Sequence, residues 1–176
     1  MRLFIALLFN QNKLNAIDSK KKQLIDLGIN GHYVPKDLLH LTLYYIGETK
    51  ESDLDKFKIA LSQIHHAKFS INTGQIDAFK KHKNKKIIYL SIEKNQPLMT
   101  CYKKVISQLQ SVAPNVHSDG LTPHITLIRK AEIDINKLDS IHVDPMTIAI
   151  DSIHMMASKR IKQRLVYESI DHVQLK

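Results

Sequence analysis

Cysteine is almost missing from this sequence. The single copy, Cys101, permits no internal disulfide and no Cys-X-X-Cys metal or redox pair. Nothing in its setting marks it as a nucleophile, and it reads as a helix-core residue. No apolar run is long enough to span a bilayer. The apolar start, residues 1–9, passes straight into Asn10-Gln11-Asn12-Lys13 without a small-residue cleavage site, so it reads as a buried strand and not a secretory signal. A clustered set of metal ligands is also lacking, so no metal or other cofactor is expected. A reducing cytoplasm is the expected compartment.

Acidic residues are in short supply, with 17 Asp+Glu against 26 Lys+Arg and a formal charge of +9. A balance this basic favours anionic partners, nucleic acid first and a membrane surface second. The plainer reading is that lysines keep a small protein soluble. Hydrophobic content of 43% supports a real core, and charged content of 24% is ordinary, so disorder is not expected. The length of 176 residues fits one domain, or two small lobes packed tightly.

Along the chain, the apolar strand at 2–9 leads into a helical stripe of Leu14, Ile17, Leu24 and Leu27, with Asn10 or Asn12 as cap and Gly28 as stop. An extended piece at Tyr33-Val34-Pro35 precedes a strand at 39–46 that ends at Gly47. A second helix follows Glu51-Ser52-Asp53. Strands at 69–79 and 87–92 flank the most basic run, from Lys80 to Lys86. Pro97 fits the first turn of a third helix. Another strand runs over 124–128, and two close the chain at 146–157 and 165–173, joined by a basic turn from Lys159 to Arg164. Neighbouring strands of this kind predict an α+β fold: two pseudo-symmetric lobes of antiparallel sheet, helices outside, and an active-site cleft between them.

One pattern carries chemistry. His-X-Thr-X occurs twice, as His40-Leu41-Thr42-Leu43 and His124-Ile125-Thr126-Leu127. Residues i and i+2 of a strand share a face. Each copy therefore sets an imidazole beside a hydroxyl and turns two apolar residues into a core. With 10 His and seven Thr, a random His-X-Thr is expected roughly 0.4 times. A lone strand histidine is usually structural. Here the context matches as well: both copies are His-aliphatic-Thr-Leu, both lie in strands, and both follow a proline loop (Val34-Pro35 and Thr122-Pro123). They stand 84 residues apart, near half the chain, which suggests an internal duplication. Two histidines meeting in one cleft form a general acid and a general base with hydroxyl donors beside them, suited to moving a phosphoryl group.

Tyr33-Val34-Pro35, the segment Leu39-His40-Leu41-Thr42-Leu43-Tyr44-Tyr45-Ile46-Gly47 and the segment Pro123-His124-Ile125-Thr126-Leu127-Ile128-Arg129 resemble the two-histidine phosphoesterase superfamily. Within it they look like the RNA 2′,3′-cyclic phosphodiesterases, formerly called 2′-5′ RNA ligases. The likeness extends to the N-terminal strand and to Met155-Met156-Ala157-Ser158 followed by Tyr167. Tyr33 stands where the family often has tryptophan, and Tyr45 where it often has phenylalanine. Both keep a flat ring.

The resemblance implies a single two-lobed domain over 1–176 that hydrolyses RNA 2′,3′-cyclic phosphate ends to 2′-phosphomonoesters without metal, with weak reverse ligation. It suggests His40 as proton donor and His124 as acceptor, although the two copies are nearly equivalent by sequence. Thr42 and Thr126 would donate to the equatorial phosphate oxygens, and Arg129 would bind phosphate. Strict alternation puts Arg129 and Tyr45 opposite their histidines unless a bulge brings them round. For Tyr45 a core position is favoured over stacking on a base. The basic runs 80–86 and 159–164 are either RNA-backbone contacts or solvated turns. Other readings are a phosphodiesterase for a small cyclic nucleotide or a 2′-5′ oligoadenylate, and a non-catalytic RNA-binding module. No obligate protein partner is evident, and a monomer is expected. The remaining eight histidines are read as structural or surface residues.

Overall fold

A computed structural model describes residues 1–80 and 85–176. Positions 81–84 of the expected basic tip, His82 included, lie outside the described residues. The architecture is α+β, built on one curled antiparallel sheet. In chain order the elements are β1 (Arg2–Leu7), α1 (Gln11–Asp26), β2 (Asn30–Tyr33), β3 (Leu41–Glu48), α2 (Leu54–Ser62), β4 (Phe69–Lys80), β5 (Lys86–Ile92), α3 (Gln96–Val112), β6 (His124–Glu132), β7 (Thr147–Ile150), β8 (Ser152–Ile161) and β9 (Arg164–Gln174). The strand order is β7-β4-β5-β6-β3-β1-β8-β9, with β2 paired to β6.

This order divides about its centre. On one side run β3, β1, β8 and β9, and on the other β6, β5, β4 and β7. The innermost strand of each half carries one His-X-Thr copy. Each is preceded in the chain by its outer neighbour and a helix: β1-α1 before β3, and β5-α3 before β6. The duplication suggested by the motifs is thus visible in the topology.

The two faces of the sheet differ in what they bury. On the helix side, Leu3, Ile5, Leu7, Leu41 and Ile125 join Ile17 of α1, Phe57 of α2 and Val105 of α3 in the main core. On the other face, Phe4, Ala6 and Met156 form a small separate cluster with Leu8 and Tyr167. Strand β1 is apolar along nearly its whole length because it is covered on both sides. Burying one such leucine contributes about 1.5–3 kcal/mol. The apolar members of the motifs therefore anchor the strands firmly while the polar members stay free.

Caps set the helix ends. Asn10 Oδ1 accepts from Lys13 N at 3.0 Å, and Asn95 Oδ1 from Leu98 N at 2.9 Å; each cap is worth about 1 kcal/mol. Gly28, at φ 68°, ends the first helix as expected. Cys101 is buried in α3.

Two expectations need correction. The closing strand at 146–157 is two strands: β7 pairs with β4 and β8 with β1, at opposite ends of the sheet. The break falls at Asp151, where the chain changes halves. The basic turn is also shorter than 159–164. Strands β8 and β9 run on to Ile161 and Arg164, which leaves Lys162 and Gln163 to turn. Both have positive φ, 46° and 66°, as a tight type I′ hairpin requires.

Candidate active site

The two motif strands touch at one residue pair, Leu41 opposite Ile125. Each is the second residue of its His-X-Thr-X copy. The antiparallel pair therefore has its local two-fold axis between the copies. That register runs His40 towards Thr126 and Thr42 towards His124, and turns all four to the face opposite Leu41 and Ile125. Beyond this point the strands diverge, because β6 takes β2 as its neighbour, with Tyr33 opposite Ile128 and His32 opposite Arg129. The divergence opens a cleft at the motifs.

The imidazoles are held alike. His40 Nδ1 lies 2.7 Å from Leu38 O and His124 Nδ1 lies 2.7 Å from Thr122 O. Each partner is the carbonyl two residues earlier. A carbonyl only accepts, so Nδ1 carries the proton and Nε2 of the neutral ring is left to accept one. His40 Nε2 sits 3.0 Å from Thr42 Oγ1, which donates to it. Each ring also packs against two aromatic rings. Phe4 and Tyr167 lie 5.0 and 5.2 Å from His40. Phe79 and Tyr89 lie 5.0 and 5.2 Å from His124. Tyr89 is fixed by its hydroxyl, which donates to Asp77 Oδ2 at 3.2 Å. Burial and then Asp77 push that phenol up to about 12.

Both histidines are depressed. Burial pushes His40 down to about 4, with Arg129 and His124 adding to the effect against the hydrogen bond to Leu38. Burial also lowers His124, again with Arg129 adding to it. The free site is thus a pair of neutral imidazoles beside a fixed guanidinium, and a bound anion would raise both.

The residue five places after each histidine is brought to the cleft by a bulge. Along β1–β3 the pairing passes from Ala6–Thr42 to Ile5–Tyr44, leaving Leu43 extra. Along β5–β6 it passes from Tyr89–Thr126 to Ile88–Ile128, leaving Leu127 extra. The bulge falls on the fourth motif residue in both copies and reverses the alternation that follows. Tyr45 is 57% exposed, so the expected core position is wrong. Arg129 is exposed as well.

A cavity of about 530 Å³ is lined by His40, Thr42, Tyr45, Arg129, Phe4 and Tyr167, among others. A second, of about 360 Å³, adjoins it and includes His40, Thr126 and Arg129. Of the six residues singled out by sequence, five line these cavities. His124 lines neither. The aromatic rings around the histidines carried no signal as site residues, because Phe4, Phe79, Tyr89 and Tyr167 come from four other strands. Among the described residues no group of three or more His, Cys, Asp or Glu could hold a metal, and no helix is long and apolar enough to cross a membrane.

A curled antiparallel sheet with two such halves back to back is the architecture of the two-histidine phosphoesterases. Within that class the chain belongs to the 2′-5′ RNA ligase superfamily, whose family model matches residues 23–161. It is 24% identical over 166 residues to the RNA 2′,3′-cyclic phosphodiesterase of Thermotoga maritima, covering 90% of this chain and 87% of that protein. The protein of the same name from Aquifex aeolicus is 22% identical over 146 residues, covering 80% of this chain and 77% of that protein. Among solved structures, apo E. coli LigT matches with a TM-score of 0.79 at 21% identity, over 99% of this chain and 96% of that one.

Proposed function

We propose that this protein opens 2′,3′-cyclic phosphates at RNA ends to give 2′-phosphomonoesters, with His40 and His124 as the proton-transfer pair. The observation that carries the reading is the Leu41–Ile125 register, which relates the two His-X-Thr copies by a local two-fold on one face of the sheet. The names of the relatives from Thermotoga maritima and Aquifex aeolicus support the substrate.

Water attacks phosphorus in line with the departing ribose 3′-oxygen. One imidazole takes the water proton at Nε2, and the other, entering as imidazolium, gives its Nε2 proton to the leaving alkoxide. The P–O3′ bond breaks as the new P–O bond forms, and the two histidines exchange protonation states. The carbonyl anchors hold Nδ1 of both rings, so Nε2 is the transferring atom in each, and Thr42 passes from His40 Nε2 to the phosphate on binding. Thr42 and Thr126 hydroxyls donate to the equatorial oxygens, and Arg129 neutralises their charge. Tyr45 offers its exposed ring to the terminal base. By family likeness His40 is the donor and His124 the acceptor. With a 5′-hydroxyl in place of water as the nucleophile, the same groups would form a P–O5′ bond as the P–O3′ bond breaks, a weak 2′-5′ ligation.

The test is to incubate the protein with EDTA and an oligoribonucleotide ending in a 2′,3′-cyclic phosphate, then identify the product. A 2′-phosphate is expected. A 3′-phosphate contradicts the regiochemistry. Binding without turnover favours a non-catalytic RNA-binding module.

A further inference from the structure

The second cavity reaches His40, Thr126 and Arg129 and carries, beside them, residues that the reaction at phosphorus does not use. It lies between segment 32–38 and the β8–β9 hairpin, and it shares Arg160, Leu165 and Tyr167 with the first cavity. Four cations line it: Arg129, Lys130, Arg160 and Arg164. No described carboxylate lines it, and Asp37 holds Arg164 from outside. The first cavity differs, because it contains Glu48, tied to Arg2 at 2.7 Å and to the Met1 amino group at 3.7 Å. The second also has a flat and apolar part, made by Tyr33, Val34, Pro35 and Leu38.

Two features fix its walls. Arg164 reaches Asp37 at 3.4 Å, which joins the hairpin to the turn before His40. Lys21 of α1, itself buried, donates to Val34 O and pairs with Asp18 at 2.6 Å. The hairpin also keeps Lys162 and Gln163 in the left-handed region without glycine, a conformation costing roughly 1–2 kcal/mol per residue.

A nucleotide upstream of a strand end presents one phosphate and one base. It needs cations without competing carboxylates, next to an apolar or flat surface. We infer that the second cavity binds the nucleotide immediately upstream of the cyclic end, with Arg160, at the junction of the two cavities, on the connecting phosphate. This rests on the phosphodiesterase reading and makes the protein selective for strand ends over mononucleotides.

The test compares kcat/KM for a short oligoribonucleotide ending in a 2′,3′-cyclic phosphate with that for a nucleoside 2′,3′-cyclic phosphate. The wild type, Arg160→Ala and Lys130→Asn are measured at several salt concentrations. Asparagine tolerates the left-handed backbone of Lys130, at φ 52°. The expected result is an oligonucleotide preference that falls about tenfold in Arg160→Ala, equivalent to about 1.4 kcal/mol, and falls less in Lys130→Asn. The oligonucleotide should also show the steeper salt dependence, by about 0.7 in logarithmic slope per phosphate contact. Arg160→Ala should remove part of that difference. An unchanged preference and slope in both variants would overturn the subsite. Oligonucleotide binding is measured in parallel by fluorescence polarisation. If the wild type turns over neither substrate but Arg160→Ala still weakens binding, the phosphodiesterase reading fails and the subsite stands. Equal binding by wild type and Arg160→Ala refutes the subsite whatever the turnover.

Discussion

The half of the sheet that carries His40 and the half that carries His124 agree in construction and differ in what they offer. Both hold Nδ1 on a carbonyl two residues back at 2.7 Å. Both wedge the ring between two aromatics, and both place a bulge on the fourth motif residue. The difference lies just past the bulge. One half presents the exposed ring of Tyr45 and the other the guanidinium of Arg129. On the proposed function, a duplicated scaffold supplies the same proton-transfer group twice, and divergence at one position separates a base contact from a phosphate contact. The equivalence is also imperfect at the histidines. His40 lines both cavities, receives Thr42, and is pushed down to about 4, whereas His124 lines neither.

If the halves are equivalent for chemistry, His40→Ala and His124→Ala should each cost about 10²–10⁴ in kcat, the range for a positioned acid or base. Thr42→Val and Thr126→Val should each cost about 10² in single-turnover rate, the lower end for one lost donor. The two losses should be similar, because Thr42 and Thr126 stand in matching positions about the Leu41–Ile125 pair.

Arg129→Met separates the halves by charge. A charged hydrogen bond worth about 1.5–3 kcal/mol predicts a KM at least about tenfold higher. The same change removes a positive charge that disfavours both imidazoliums. Both histidines should therefore titrate at higher pH, and the optimum of kcat/KM should move to the alkaline side. NMR titration of the imidazole protons checks the first effect, and a pH–rate profile the second. Tyr45→Ala should raise KM about fivefold, for roughly 1 kcal/mol of stacking. The smallest effect is expected far from both histidines. Gln163→Gly relieves the left-handed turn of the hairpin and should stabilise the fold by about 1 kcal/mol in thermal unfolding.

The motif residues were legible because both rules they depend on are local: alternation along a strand, and a histidine two residues from a threonine. The Asn10 cap, Gly28 and the α+β class were legible for the same reason. The bulges at Leu43 and Leu127 were not, since a bulged leucine and a paired one look alike in sequence. Without the bulge, alternation puts Tyr45 on the core face, where the burial statistics of aromatic residues also put it. The split of 146–157 was hidden because Thr147–Ile150 and Ser152–Ile161 are both good strands, and only their partners show that they belong to different halves. The aromatic walls come from strands far apart in the chain, and the second cavity forms only when the hairpin meets the turn before His40.

The pairing of the two halves around one phosphorus is tested most directly by a double-mutant cycle on one substrate. Single-turnover rates are measured for His40→Ala, His124→Ala and the double variant on the same cyclic-phosphate oligoribonucleotide in EDTA. If the histidines act as one unit, each single loss is large and the double variant is no worse than the weaker single by more than a few-fold. A single variant that keeps near-wild-type activity, or losses that multiply in the double, would contradict it.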